Sequence, residues 1–344
     1  MRNFQMNSFY ELDAETEKLL SKIEGPIMIF GAGGFIGINA LKSFLLYRED
    51  VYGVSRDFKK NWRLKANKIQ RDNLIKCDIE NTVELQSIIK KIKPKTIFNF
   101  AAYGAYSKQK DYQKIYKVNF NSTADILEIL KREGFKCYIH AGTQSEYGLI
   151  TRAPLENSEL IPNSHYAVSK VADYYILKFY GKVEKLPVVH LRIYSAYGPW
   201  EEPDRLIPVL VSKAIRGKYP RLVEPEISRD FVYVRDVLRA FIFAAARINP
   251  EIYGEVFNVG TENKTTIRDL AFLTKEIFKI KAKPSFGNMK NRDWDLKDWY
   301  SNSGKIKKII GWKATVTIKQ GLLTTAFWQK TVNYDSLLDN IKFK

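Results

Sequence analysis

Ile27-Met28-Ile29-Phe30-Gly31-Ala32-Gly33-Gly34-Phe35-Ile36-Gly37 is the stretch that decides the fold. A four-residue apolar run enters a turn with glycines at 31, 34 and 37, and an amphipathic segment over 36–48 leaves it. Glycines at this spacing permit a tight strand-to-helix turn and let the backbone approach a pyrophosphate at a helix N-terminus. A glycine-rich turn that holds nothing is the plain alternative. The strand before and the helix after are the setting that the dinucleotide motif requires.

The same texture repeats outward. Short apolar runs occur at 51–54, 73–75, 96–100, 137–140, 188–191 and 256–259, with helical patterns over 82–92, 111–133 and 166–182. Continuous rather than alternating runs fit strands buried on both faces. The alternation predicts an α/β fold, a doubly wound parallel (Rossmann) sheet. Residues 1–24 form an extension in which Leu12, Leu19, Leu20 and Ile23 give a weak stripe, read as a short docking helix. After Tyr197 prolines become denser (Pro199, Pro203, Pro208, Pro220, Pro225), and helices are expected over 266–280, 303–310 and 318–329. The expected division is a dinucleotide-binding domain of 25–197 plus 229–262 and a smaller substrate-binding lobe of 198–228 plus 263–330. The tail, 331–344, is polar and expected to fray.

Composition narrows the function classes. The 344 residues are 45% hydrophobic, enough for a large core, and no apolar run approaches a membrane span of about 20 residues. The first twenty residues hold no apolar stretch ending in small residues, so no secretory signal is expected. Two cysteines, Cys77 and Cys137, exclude a disulfide scaffold and suit a reducing cytoplasm. No metal-ligand spacing is present. The net charge of +18 is compatible with nucleic acid, an anionic membrane surface, polyphosphate ligands or plain surface lysine. Basic residues are scattered rather than interleaved with aromatics, which disfavours nucleic acid. The densest cluster, Lys305, Lys307 and Lys308, reads as a solvated helix face.

The second strand bears on the cofactor. Sites for NAD usually place Asp or Glu at its end. Here Ser55 and Arg56 arrive before Asp57, and an arginine there would grip a 2′-phosphate through its planar fork. NADP(H) is therefore favoured and NAD(H) possible; the alternative is that Arg56 points to solvent and Asp57 takes the ribose. Asp78, after the third strand, would sit near the adenine.

Tyr166 and Lys170 stand four residues apart, on one face of a predicted helix. A lysine ammonium beside a phenol would depress its pKa from about 10 and let the tyrosine trade a proton near neutrality. Thr143, in His140-Ala-Gly-Thr143-Gln144-Ser145-Glu146-Tyr147-Gly148, lies at the end of the fifth strand and would hydrogen-bond a reacting oxygen. His140 and His190 read as packing residues, and His165 as a pocket residue.

Together these residues resemble the extended short-chain dehydrogenase/reductases that act on nucleotide sugars, the epimerase/dehydratase family. The resemblance runs from Ile27 to Gln329. It rests on the glycine turn, Asn99-Phe-Ala101-Ala102, Val118-Asn119, Thr143, Tyr166-x-x-x-Lys170, Arg192-Ile-Tyr194-x-x-Tyr197-Gly-Pro, Arg229-Asp-Phe-Val-Tyr233, Asn258-Val-Gly and Gly311-Trp312. It implies Thr143, Tyr166 and Lys170 as a catalytic triad, with Tyr166 the general acid/base and Lys170 on the nicotinamide ribose. It assigns Phe35, Ile36, Ile79, Ala101, Ala102 and Asn119 to the cofactor together with the glycines. Arg229 and Arg292 would grip the nucleotide diphosphate, with Ser145, Glu146 and Tyr194 also near the substrate. It implies a homodimer through the helices over 111–133 and 166–182, with Tyr112, Ile115, Tyr116, Val171, Tyr174, Tyr175 and Phe179 as its seam.

The chemistry can be narrowed within that resemblance. Dehydratases of this kind carry Asp-Glu directly after the threonine, where Gln144 and Ser145 stand here, and decarboxylating relatives keep the glutamate. Glu146 lies one residue later. The expectation is an NADPH-dependent reductase of a nucleotide-linked 4-keto-6-deoxy sugar in surface-polysaccharide or deoxysugar biosynthesis. An NAD-dependent nucleotide-hexose 4-epimerase is the alternative, and a non-catalytic RNA-binding or redox-sensing member of the fold the third reading.

Overall fold

The computed structural model describes residues 8–106, 108–291 and 296–342. Strands β1 (Ile27–Phe30), β2 (Val51–Ser55), β3 (Leu74–Lys76), β4 (Thr96–Asn99), β5 (Cys137–Thr143), β6 (Val188–Ile193) and, later in the chain, Glu255–Val259 form one sheet. Its order places β1 between β2 and β4, then runs β5, β6 and the late strand on one side and β3 on the other. Every pairing in it is parallel. The chain therefore winds outward in two directions from β1 and β4, and the crevice above their C-terminal ends is where such sheets bind ligands.

Local sequence explains the elements. All four residues of β1 are fully buried, as a central strand covered on both faces requires. Helix α1 (Ala14–Lys22) starts at an Asp13 cap and buries Leu20. Arg239 anchors it through Asp13 at 2.9 Å and Thr16 at 3.1 Å, so the weak N-terminal stripe does mark a helix. The crossovers are α2 (Phe35–Leu45), α3 (Trp62–Asn67) and α4 (Thr82–Ile92), the last capped by Asn81. The next is not one α-helix. It runs as α5 (Tyr112–Tyr116), a π-helical turn (Lys117–Asn121) and α6 (Ser122–Glu133). Helix α7 (His165–Lys182) then crosses from β5 to β6.

Past β6, β7 (Ser195–Tyr197) pairs with a later strand at Phe231–Tyr233. Helix α8 (Leu206–Ile215), β8 (Ser228–Arg229), β9 (Phe231–Tyr233) and α9 (Val234–Ala246) lead to β10 (Glu255–Val259), the sheet's last strand. Then β11 (Thr265–Thr266) pairs antiparallel with β8, followed by α10 (Ile267–Phe278), α11 (Gly304–Ile310) and α12 (Ile318–Thr331). Tyr197, Ile207, Leu210, Leu270 and Leu322 share a core of their own beside the sheet.

Two expectations need correction. The tail does not fray through the described residues: α13 (Tyr334–Lys342) follows, with Tyr334 buried and its ring 5.5 Å from that of Trp328. Val332, Leu337 and Leu338 pack against the same core. Nor is Lys305 part of a solvated face, because its Nζ bonds Glu255 at 2.6 Å and the Val256 carbonyl at 2.9 Å. Cys77 and Cys137 are free and buried, and no described helix is long and apolar enough to cross a membrane.

The glycine turn differs in how much each position tolerates. A Cβ at Gly37 would lie 2.1 Å from the Gly31 carbonyl oxygen, a backbone atom that cannot move aside. A Cβ at Gly34 would lie 3.1 Å from the same oxygen, at an ordinary φ of −77°. Gly37→Ala should therefore lower stability by about 2 kcal/mol or more and Gly34→Ala by clearly less. Equal thermal melts of the two variants would contradict this reading of the turn.

Candidate active site

The crevice above β1, β4, β5 and β6 is a cleft of about 1070 Å³. Its floor at one end is the glycine turn. Gly31 takes φ +74°, and a Cβ there would lie 2.6 Å from the Ala101 nitrogen, so the two loops touch backbone to backbone. Gly34, Phe35, Ile36 and Gly37 line the cleft with the free N–H groups of α2 behind them, and Ala102 lines it from the β4 side. Asn99 fixes that second loop: its Oδ1 accepts from the Ala101 N–H at 3.0 Å. A backbone cradle in which a Cβ at Gly31 or Gly37 would clash fits a dinucleotide pyrophosphate.

Asn119 does not sit in the cleft wall. Its Oδ1 accepts from the Tyr103 N–H at 2.8 Å, and its amide donates to the Tyr103 carbonyl at 2.9 Å and to Ser169 at 2.8 Å. It is 1% exposed. Its polar atoms are spent on shaping the loop after β4.

At the end of β2, Ser55 is half-buried and the Arg56 side chain is 52% exposed, 3.7 Å from Glu80. Asp57 turns back on its own loop and accepts from the Lys59 and Lys60 N–H groups at 2.8 and 2.9 Å. Asp78 similarly accepts from the Glu80 N–H at 3.2 Å, and Ile79 is largely buried in the core.

Thr143 ends β5 and caps a 3₁₀ turn, Gln144–Tyr147. Its hydroxyl accepts from the Ser145 N–H at 3.2 Å, while Glu146 accepts from the Thr143 N–H at 2.8 Å. Thr143 and Ser145 face the cleft. Glu146 does not. It is wholly buried, with His190 Nε2 at 2.8 Å and Arg192 Nε at 2.6 Å. Burial opposes its ionisation, but His190 and Arg192 outweigh it and hold the carboxyl at about 2. The expected substrate contact of Glu146 is thus corrected: the one-residue shift turns it under the turn.

Tyr166 stands in the first turn of α7, which Ser164 caps by accepting from the Ala167 N–H at 3.2 Å. It lines the cleft beside Thr143. Burial, then the nearby Glu146 carboxylate, push its phenol up, against the Thr143 side chain. Lys170, four residues on, is 1% exposed, and its Nζ bonds Asp173 at 2.6 Å and His140 at 2.7 Å. The expectation that Lys170 depresses the phenol is therefore not met: the ammonium is already paired. His165 lines the cleft as expected, with Nδ1 3.0 Å from the Tyr116 hydroxyl.

On the far wall lie Tyr194, 3% exposed with a hydroxyl that has no partner among the described residues, and Arg229, whose guanidinium is 4.9 Å from the Trp299 ring centroid. Arg292 lies outside the described residues. Sequence reasoning missed Glu201, Arg63, Arg205 and Arg221 in this wall. Glu201 is 7% exposed, 3.7 Å from Arg205, and one of its oxygens has no partner among the described residues. Only its place in an acidic, proline-flanked turn, Glu201-Glu202-Pro203-Asp204, signalled it. Among the described residues no group of His, Cys, Asp and Glu could hold a metal ion.

Comparison with known proteins agrees with this geometry. Residues 27–260 match the family model described as the NAD dependent epimerase/dehydratase family. The chain is 26% identical to a UDP-glucuronate 4-epimerase of Thermodesulfobacterium geofontis, over 89% of this chain and 96% of that protein. It is 28% identical to the trifunctional UDP-glucose 4,6-dehydratase/UDP-4-keto-6-deoxy-D-glucose 3,5-epimerase/UDP-4-keto-L-rhamnose-reductase of Arabidopsis thaliana, over 62% of this chain but 32% of that protein. It superposes on the UDP-glucuronic acid 4-epimerase of Bacillus cereus, solved with UDP-glucuronic acid and NAD, with a TM-score of 0.77 at 25% identity, covering 89% of this chain and 99% of that one. The sheet, the glycine cradle and the cleft with Thr143 and Tyr166 thus belong to an enzyme of the NAD-dependent epimerase/dehydratase family, an extended short-chain dehydrogenase/reductase that works on nucleotide sugars.

Proposed function

We propose that this chain is an NADPH-dependent reductase of a nucleotide-linked 4-keto-6-deoxy sugar, acting in the cytoplasm for surface-polysaccharide or deoxysugar assembly. The end of β2 carries this reading. Arg56 is exposed beside the position a ribose would take, while Asp57 spends its carboxylate on two backbone N–H groups. A cation in place of an acid favours a 2′-phosphate.

When bound in the glycine cradle, the nicotinamide supplies a hydride. The residues do the rest. Thr143 and Tyr166 converge on one point of the cleft wall, where the hydroxyl and the phenol hold a sugar carbonyl oxygen. Tyr166 gives its proton to the alkoxide that develops there. Lys170, held by Asp173 and His140 behind the cleft wall, is the residue assigned to the nicotinamide ribose. Arg229 and Arg292 take the diphosphate, Ser145 and Tyr194 the sugar, and the segments 198–228 and 263–330 form the sugar-nucleotide side of the cleft. Gln144 and Ser145 supply no carboxylic acid–base pair for eliminating water. A second reading, a nucleotide-hexose 4-epimerase, is favoured by the NAD and UDP-glucuronic acid held by the Bacillus cereus relative. Tyr112, Val168, Tyr175 and Phe179 are exposed on α5 and α7, the faces proposed to pair two copies into a homodimer.

Incubated with NADPH and a panel of nucleotide 4-keto-6-deoxy sugars, the protein should consume NADPH with at least one. No absorbance loss with any, and NAD bound tightly on purification, would sink the reductase reading in favour of the epimerase. Arg56→Asp should weaken NADPH binding by about 10-fold or more, from the loss of a charge-assisted contact, and leave NADH binding unweakened. Equal loss for both would place Arg56 outside the 2′-phosphate site. Burial pushes the Glu201 carboxyl up to about 8, against Arg205. Its favourable contribution to folding is complete below the ordinary value of 4.5 and is lost as pH rises through about 8. Glu201→Gln should remove that slope from a series of melts. An unchanged slope would show that the carboxyl ionises normally.

A further inference from the structure

The far wall of the cleft carries a turn held in an unfavourable shape. Trp200 takes φ +68°, in the left-handed region, which a bulky aromatic occupies only when its surroundings force it. Four distant segments supply that force. Trp200 Nε1 donates to the Tyr10 hydroxyl at 2.5 Å, and Arg63 Nε donates to the Trp200 carbonyl at 2.7 Å. Asn39 of α2 donates to the Pro199 carbonyl at 2.9 Å. The Trp200 ring lies 5.7 Å from that of Trp62 and 5.0 Å from that of Trp328 on α12.

Two acids follow Trp200, and their surroundings differ. Glu202 is engaged by Arg63 at 2.8 Å and by Lys108 at 3.4 Å. Glu201 lines the cleft at 7% exposure, with Arg205 no nearer than 3.7 Å. Its Oε2 is buried and has no partner among the described residues. An orphaned buried acceptor costs stability, and so does a strained residue. Two such costs on adjacent positions, at the wall of one cleft, mark a group kept for a ligand rather than for packing.

The turn lies at the reacting end of the cleft. It follows β6 and β7, and the last residue of β6, Ile193, pairs with Thr143. The loop after β4 bridges from Tyr166 to the turn. A Cβ at Gly104 would stand 3.3 Å from Cδ2 of the Tyr166 ring, and Lys108 of the same loop reaches Glu202. The ligand part that belongs at this end is the sugar, whose carbonyl meets Thr143 and Tyr166. A sugar hydroxyl satisfies Oε2 whether or not the carboxyl is ionised, because a hydroxyl both donates and accepts. Gln144 Oε1 and the Tyr194 hydroxyl line the same cleft, buried and also without partners among the described residues. Three uncommitted polar atoms suit a ligand rich in hydroxyls.

We propose that Glu201 is a specificity-determining residue that hydrogen-bonds a ring hydroxyl of the sugar, and that the strained Pro199–Glu201 turn holds it in place to do so. The class it selects is a nucleotide hexose with its ring hydroxyls present over a deoxygenated one.

This inference rests on the cleft holding a nucleotide sugar, whichever way hydride moves, so its test is binding without turnover. Calorimetric titration of the full chain with UDP, dTDP, GDP and CDP finds the preferred diphosphate, which is then compared with its glucose conjugate. The conjugate should bind more tightly than the diphosphate alone. Glu201→Met, similar in length but without an acceptor, should weaken the conjugate by about 10-fold and leave the diphosphate unchanged. Its melt at pH 7 should hold or rise, because an unsatisfied buried group is gone. Glu201→Gln, which keeps an oxygen there, should retain most of the affinity. Equal weakening of diphosphate and conjugate would move Glu201 to the ribose or base and overturn the proposal. So would unchanged affinity for the conjugate with a lower melt, or a loss in Glu201→Gln as large as in Glu201→Met. Should Glu201→Met fail to fold, Glu201→Ala decides by the same affinities. Binding of none of the four diphosphates would overturn the nucleotide-sugar reading together with this one.

Discussion

A carboxylate with no solvent exposure holds the site together. Glu146 accepts from the Thr143 N–H, from His190 and from Arg192, and so ties the end of β5 to β6 through its side chain as well as through the sheet. Taking a carboxylate and a guanidinium out of water is costly unless each is well paired. Here the pairing extends further. Arg192 also donates to the Glu156 carbonyl at 3.1 Å and lies over the rings of Tyr147 and Tyr174, 4.6 and 4.7 Å from their centroids. The result is a rigid turn that presents the Thr143 hydroxyl to Tyr166. It leaves no room for movement at Gly142, where a Cβ would meet His190 Nε2 at 2.2 Å. Glu146 also adds its negative charge to the surroundings of Tyr166.

The two ends of the cleft follow different physics. At the end with the glycine turn the cleft is framed by backbone: close-packed glycines, a helix N-terminus and a loop pinned by Asn99 and Asn119. At the other end it is lined by side chains from scattered places, among them Arg63, Tyr194, Glu201, Arg205 and Arg229. The first arrangement suits a ligand part common to a whole family, the second a part that varies. Between them lie two buried ionic clusters, Glu146–His190–Arg192 and Asp173–His140–Lys170, joined by the stacked histidines.

Local pattern made the fold readable. Central strands announce themselves as short apolar runs because both faces are covered, and Asn81, Ser164 and Asp111 are caps that mark helix starts. The glycine turn, Thr143 and Tyr166 were equally readable, because their spacing along the chain is fixed by the elements they end. What stayed hidden depended on contacts between distant segments. Glu146 and Asn119 sit in motifs that suggest ligand contact, but each bonds residues that sequence alone does not bring near. Asp173, three residues after Lys170, had a local signal in its helical spacing. Its partner His140 lies thirty-three residues back on β5, which no local pattern reveals. The +18 charge likewise divides only in three dimensions. Arg56 is exposed beside Glu80, Arg63, Arg205, Arg221 and Arg229 line the cleft, Lys305 is tied to Glu255, and Lys307 and Lys308 are exposed.

The proposed reduction takes one hydride from NADPH and one proton from Tyr166. The most direct measurement uses NADPH deuterated at the transferable C4 position, with a nucleotide 4-keto-6-deoxy sugar, and follows the product by mass and NMR. The account predicts one deuterium at sugar C4 for every NADPH consumed. Inversion at C4 of an unoxidised nucleotide hexose with no net loss of cofactor and no deuterium uptake would contradict it.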